Sequence, residues 1–327
     1  MYLRRLLGKL LNATETGSLR DRVARLTDEV LTKALEVGHF EVMEDLARRI
    51  PVTVACDIIG IPEADRERVR SWAVDLTQVF TFVLPESDRP AVNEAATNLR
   101  AYVRGLLDNN ARPQQLDQLL RAARGQGADI AVSVDDLVDN IIFLLLGGFA
   151  TTVQLIATGC SALLTHPAEF ARLRANASLV PSAVEEFLRY DAPIQHVGRI
   201  VVAPLQIEDQ TIRTGRIVHL LLGSANHDDR QFADPSKLDI ARHPNPHVSF
   251  GGGPHACLGW AVARLEAEVI FSRIRHWCAV FEPAGDVVRK PTQVFRTYTA
   301  IPVRVERASN RPHSLAVSPQ RAAGNPS

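Results

Sequence analysis

Apolar residues recur at steps of three and four through most of the chain's first 190 residues, the period of helices that bury one face. Residues 1–11, 19–35, 40–59, 91–107 and 115–123 read as such helices. Pro62 is placed for the first turn of the helix that follows it. The longest apolar stretch starts at Ser133, where Ser-Val-Asp-Asp resembles a capping box with acids in the first turn. It runs to about Leu164 and stops ahead of Pro167. Being apolar on nearly every face, it is expected to pass through the middle of the fold. Gly147 and Gly148 interrupt it at a cost of about 1 kcal/mol each relative to alanine. Thr151 and Thr152 follow, so a local break is expected, with something large against that face. Close helix packing at glycine is the alternative. After Tyr190 the pattern changes to short β-branched runs (199–202, 205–207, 217–222) separated by Pro and Gly, which read as strands. A last helical pattern spans 258–277. The chain is therefore expected to be mainly α with a smaller β portion: one domain over 1–305 and a polar Pro- and Ser-rich tail over 306–327.

Composition narrows the class. The chain has 327 residues, 46% hydrophobic, with 37 basic and 37 acidic residues. That is enough for a large core, and the balanced charge argues against a general nucleic-acid binder. Residues 141–164 carry no charge and are long enough to span a bilayer. Gly147, Gly148, Thr151, Thr152, Gln154 and Thr158 within them, and the absence of basic flanks, favour a buried helix. The N-terminus has a basic pair but no signal-peptide pattern. Four scattered cysteines show no pairing, so a reducing, cytoplasmic compartment is expected.

The chemistry concentrates in Phe250-Gly-Gly-Gly-Pro-His-Ala-Cys-Leu-Gly259. Three glycines and a proline force a tight loop. Cys257 is expected where that loop enters a helix, with N–H groups and the helix dipole favouring its thiolate. Such a loop offers one soft sulfur to a metal beside a flat, bulky group. His243, His247, His255 and Cys257 lie within fifteen residues and raise a zinc alternative, though three glycines between ligands serve no purpose there. A purely structural cysteine is the other alternative.

The loop also resembles the haem-binding signature of the cytochrome P450 family, matched at Phe250, Gly251, Gly253, His255, Cys257 and Gly259. Two motifs upstream agree in order. Gly147 to Thr152 resembles the family's oxygen-binding motif, which implies catalytic roles for Gly148, Thr151 and Thr152; Thr151 maps onto the threonine that contacts dioxygen. Ala150 replaces the motif's usual acid and cannot relay protons. Glu186-Phe-Leu-Arg189 resembles the family's buried brace, with Arg242 as the implied third member. The resemblance further implies Cys257 as the iron ligand, and His247, His255, Arg199 and Arg4 (or Arg5) as donors to the haem propionates. It places Ile194, Val197 and Phe295 at the substrate, and points residues 72–84 towards the roof of that pocket.

The resemblance implies a haem-thiolate monooxygenase that oxidises a small organic molecule with O₂ and electrons from a ferredoxin and ferredoxin reductase. Because of Ala150, peroxide-driven or reductive chemistry is a variant. The resemblance starts near the family's third helix. A catalytically silent relative or truncated remnant is therefore the alternative, with an expected pocket open on one side, weaker haem retention and loose selectivity.

Overall fold

The computed structural model describes residues 2–12, 16–80, 84–124 and 132–308. Among them the helices are α1 (Tyr2–Asn12), α2 (Thr16–Val37), α3 (Arg49–Ile59), α4 (Arg66–Leu76), α5 (Arg89–Asp108), α6 (Gln114–Arg124), α7 (Val134–Thr165), α8 (Pro167–Ala175), α9 (Val180–Tyr190), α10 (Leu222–Ala225) and α11 (Trp260–Trp277). The architecture is mainly α, with small antiparallel sheets. β1 (His39–Glu41), β9 (Pro302–Arg307) and β6 (Cys278–Pro283) form a three-stranded sheet in the order β1-β9-β6. Three two-stranded ribbons pair β2 (Val197–Ile200) with β5 (Ile217–Leu220), β3 (Leu205–Ile207) with β4 (Gln210–Ile212), and β7 (Val288–Arg289) with β8 (Tyr298–Ala300).

α7 is the spine. Ser133 caps it as the sequence predicts: its hydroxyl accepts the Asp136 N–H at 3.0 Å, and Asp136 accepts the Ser133 N–H at 3.1 Å. It is the one helix among the described residues long and apolar enough to cross a membrane, and most of it is buried in this fold. The expected break at Gly147–Gly148 does not occur. The helix is continuous, and the Thr151 hydroxyl donates to the Gly147 carbonyl at 2.7 Å alongside the helical ladder rather than in place of it. α3, α5, α9 and α11 pack against it, and α2 packs on α11 and α3, in one core.

Three boundaries differ from the pattern. The helix expected over 40–59 begins only at Arg49; Phe40 belongs to β1, paired with Val303 of β9, and a wide turn over Val42–Ala47 links the two. Edge pairing with a distant strand overrode local periodicity. Pro62 precedes a short turn, Glu63–Asp65, and α4 starts only at Arg66. β9 runs to Arg307, opposite Cys278, so the sheet extends past residue 305; residues 309–327 lie outside the described residues.

Candidate active site

The cysteine loop departs from α11 by one short turn. Gly251 (φ +65°) and Gly253 (φ +61°) occupy left-handed conformations that a side chain strains, which explains glycine at those two motif positions. Gly253–His255 forms a single tight turn, and the Cys257 N–H donates to the Phe250 carbonyl at 2.8 Å, closing the loop on itself. Cys257 therefore lies three residues before α11 rather than in its first turn. Burial raises the thiol's pKa above its ordinary value, while the Gly259 N–H and the charges of Arg4 and Arg264 pull the other way. The expected preference for thiolate is thus reversed by desolvation in the protein by itself; a metal ligated there deprotonates the thiol outright.

Zinc does not fit. Among the described residues no three His, Cys, Asp or Glu side chains converge to hold a metal ion. The donor set is one sulfur, which would suit an iron whose other ligands come largely from a macrocycle. The glycines of α7 fit such a group too. A Cβ added at Gly147 or Gly148 meets no atom within 4 Å, and the same holds at Gly252, Gly253 and Gly259. Helix packing is therefore not what requires glycine at 147 and 148. That role belongs to Gly159, where a Cβ would stand 2.4 Å from Phe271 of α11 and 2.9 Å from Phe187 of α9.

A cavity of about 540 Å³ lies beside this part of α7. Leu146, Gly147, Ala150 and Thr151 form one wall; Ile194, Val197 and Arg199, with Val294 and Phe295, form another. So Thr151, Arg199, Ile194, Val197 and Phe295, scattered over 145 positions, line one space. The Ile194–Phe295 pairing fixes the second wall, helped by the Gln195 N–H donating to the Val294 carbonyl at 2.7 Å. Phe80 meets Phe295 edge to face at 5.5 Å; it is the part of 72–84 that reaches the cavity, and residues 81–83 lie outside the described residues. Trp72 packs instead on Tyr102. Gly148 and Thr152 are not in the lining; Gly148 is exposed and Thr152 is buried on another side of α7.

The implied propionate donors divide. Arg199 is exposed and bonds the neighbouring Gly198 carbonyl, and His255 is exposed on the loop's turn. Arg4 reaches from α1 to the Ala256 carbonyl at 2.5 Å, one residue before Cys257. His247 is different. Its Nε2 lies 3.0 Å from a Glu185 carboxylate oxygen and its Nδ1 accepts the Ser249 N–H, so both ring nitrogens are used within the protein. As placed, His247 holds the chain before the loop and has no nitrogen left for a propionate.

Glu186, Arg189 and Arg242 meet in a triangle. Glu186 and Arg189 have no solvent exposure, and the Arg189 Nε and Nη2 each donate to a Glu186 carboxylate oxygen at 2.8 Å. Arg242 Nε adds bonds at 3.1 and 3.2 Å. The spare donors of both arginines go to carbonyls of Asn226, Ala233, Asp234, Pro235 and Lys237. A buried ion pair this fully bonded fixes a long irregular segment that has little regular structure of its own.

The sequence reading missed His196 and His219, which line the cavity with ring centroids 5.4 Å apart, and Glu185 and Arg264, which flank the loop. His219 sits on a strand by register alone, and no periodicity marks it. Glu185 stood directly beside Glu186, and that adjacency was the available signal.

Comparison with known proteins agrees with this geometry. The family model described as Cytochrome P450 matches residues 52–297. The biotin biosynthesis cytochrome P450 of Bacillus subtilis is 36% identical over 287 residues, covering 88% of this chain and 71% of that protein. The cytochrome P450 monooxygenase PikC of Streptomyces venezuelae is 33% identical, covering 93% and 73%. Among solved structures, P450BioI in complex with an acyl carrier protein ligated to hexadec-9Z-enoic acid superposes with a TM-score of 0.85 at 32% identity, covering 93% of this chain and 78% of that one. This chain belongs to the cytochrome P450 family. It is an oxidoreductase of the monooxygenase type, as its hydroxylase relatives are.

Proposed function

We propose that this chain holds haem through Cys257 and hydroxylates an apolar organic molecule, taking O₂, two protons, and two electrons from a ferredoxin-type donor in the cytoplasm. The observation that carries the reading is Cys257: a half-buried thiol that belongs to no cluster of three metal-ligating side chains among the described residues, in a loop whose glycines leave room for a flat group. When bound, the haem supplies activation of O₂ and the two-electron oxidation of substrate.

The chain's own residues supply the rest. Gly251 and Gly253 shape the loop and Phe250 accepts the Cys257 N–H, holding the sulfur in place. Arg199, His255 and Arg4 are the donors for the propionates; Arg4 must release the Ala256 carbonyl to serve. Ile194, Val197, Phe80 and Phe295 exclude water and select apolar substrate surface. Thr151 Oγ1 holds its proton on the Gly147 carbonyl and turns lone pairs to the cavity, so it accepts a bond as placed and donates only after rotating. The apolar lining and the acyl chain in the P450BioI complex together favour an acyl-type substrate, free or on a carrier protein.

A second reading, peroxide-driven or reductive chemistry, has its own support. Ala150 lines the cavity, and none of the described lining residues is a carboxylate.

The deciding experiment is the spectrum of purified protein, reduced and exposed to carbon monoxide. The strongly red-shifted Soret band of a thiolate-ligated haem is expected, and Cys257→Ala should abolish it. Persistence of the band in that variant would remove the reading. Turnover supported by ferredoxin and by hydrogen peroxide, compared on one fatty acid, separates the two chemistries.

A further inference from the structure

Two adjacent carboxylates on α9 point to different parts of the same segment. Glu186 holds the stretch before the loop through Arg242 and Asn245. Glu185 reaches the loop itself. Its Oε1 accepts from Arg264 Nε at 2.5 Å and its Oε2 from Arg264 Nη2 at 2.7 Å, a bidentate pair. The same Oε2 lies 3.0 Å from His247 Nε2. Because His247 Nδ1 accepts the Ser249 N–H at 3.2 Å, the ring proton sits on Nε2 and is donated to Glu185. The Arg264 guanidinium in turn lies over the rings of Phe250 (4.7 Å) and Trp260 (4.9 Å). One carboxylate thus holds the chain on both sides of Cys257.

We infer that Glu185 is a positioning residue for the cysteine site: through His247 and Arg264 it clamps both ends of the loop, and it neutralises a cation whose field acts on the sulfur. The inference rests on Cys257 being the iron ligand, and deepens that reading. Arg264 lies over the ring of Phe250, whose carbonyl accepts the Cys257 N–H, and Arg4 bonds the Ala256 carbonyl, so both cations border the sulfur's loop. Burial alone would raise the pKa of Glu185, but bonds from Arg264 and His247 hold it at about 2, so it stays charged at any working pH. Without that charge, Arg264 acts on the site uncompensated, and an added positive charge favours the reduced iron. Without Arg264, Glu185 is uncompensated and favours the oxidised iron. Opposite signs are a signature that packing alone does not produce.

The test uses Glu185→Gln and Arg264→Gln in haem-loaded protein, with the reduction potential as readout. Glu185→Gln should move it to more positive values, Arg264→Gln to more negative ones, and the double variant should fall between. Shifts of the same sign, or none, overturn the inference. Hydrogen exchange of the haem-free protein is the second readout. Amides of residues 247–259 should exchange roughly tenfold faster in Glu185→Gln, the loss of at least one charge-assisted bond, while those of α7 stay unchanged. Unchanged loop exchange overturns the clamp. Should Glu185→Gln fail to fold, Arg264→Gln and His247→Gln each break one arm, and the same exchange measurement decides. If the Cys257 reading itself falls, the potentials lose their meaning but the haem-free exchange still tests the clamp, so the two failures are distinguishable.

Discussion

Thr151 has a single hydroxyl proton, and in this structure it rests on the Gly147 carbonyl 2.7 Å away. A group that must exchange a backbone bond for a catalytic one is sensitive to deletion and tolerant of serine. Thr151→Ala is expected to lower product formed per electron consumed by about 100-fold, the lower end of proton-transfer contributions. Thr151→Ser should keep most of it; equal losses in both variants would argue against a role for the hydroxyl. Glu266 gives a pH prediction. It is buried on α11, its Oε2 has no partner among the described residues, and burial raises its pKa to about 8. The folded protein therefore keeps a proton there that the unfolded chain releases near pH 4.5, the ordinary value. Its contribution to stability is greatest below that ordinary value and is lost progressively as pH rises to about 8, by an order of 3–5 kcal/mol. Glu266→Gln should remove this loss, so the melting temperatures of variant and parent should diverge between pH 5 and pH 8. A constant gap across that range would show that Glu266 titrates normally. Cys257 and Thr151 were legible in the sequence because their motifs fix residue types at fixed offsets. Glu266 and Glu185 were not, since a carboxylate on an amphipathic helix reads as solvated until the fold covers it.

The glycines of α7 look alike in sequence and differ in their surroundings. At Gly159 a methyl group collides with the ring of Phe271, so Gly159→Ala should destabilise by about 1–3 kcal/mol through overpacking. At Gly147 a methyl group meets nothing within 4 Å, and the helix gains propensity. Gly147→Ala should therefore stabilise the haem-free protein by about 0.5–1 kcal/mol and weaken haem retention, measured by transfer of haem to an acceptor protein. A variant that retains haem as well as the parent would show that no cofactor approaches that face. The brace on α9 behaves in the opposite way. Removing the Arg189 side chain leaves the Glu186 carboxylate buried without its main partner, at a cost of about 3–5 kcal/mol. Arg189→Ala is expected to melt well below the parent and to lose haem as a consequence. Most of these elements could be read in advance: α7 from its capping box and apolar run, α5 and α6 from periodicity. The β1 strand could not, because three residues pair with β9 some 260 positions away and nothing local marks them.

The molecule as a whole is unevenly secured. α3 and α7 bury nearly every apolar side chain, and α11 most of its own from Leu265 onward, in one continuous core. The stretch from β2 to the cysteine loop is mostly exposed, and Ile200, Val202 and Ile217 are open to solvent on its ribbons. Its ties to the helices include the Glu186 brace, Glu185 with His247, Arg172 with Asp239 and, just before it, the Arg296–Asp191 ion pair at 2.7 Å next to the Ile194–Phe295 pairing. Segments with few buried contacts open at a lower free energy than the core. They are also the ones that carry the implied haem donors Arg199, His255 and Cys257. Haem bound there stabilises the folded form by mass action, and the benefit falls on the segment it touches. Limited digestion with trypsin should therefore cut haem-free protein first at exposed basic residues such as Arg213, Arg216 and Lys237, leaving the helices from α2 to α9 intact as a large fragment. Loading with haem should slow those cuts by at least tenfold, a gain of about 1.4 kcal/mol in local opening. Equal cutting rates with and without haem would mean that the ribbons and the loop are not coupled to the cofactor. First cuts within α5 or α7 would mean that the helical core, not the loop segment, is the weaker part.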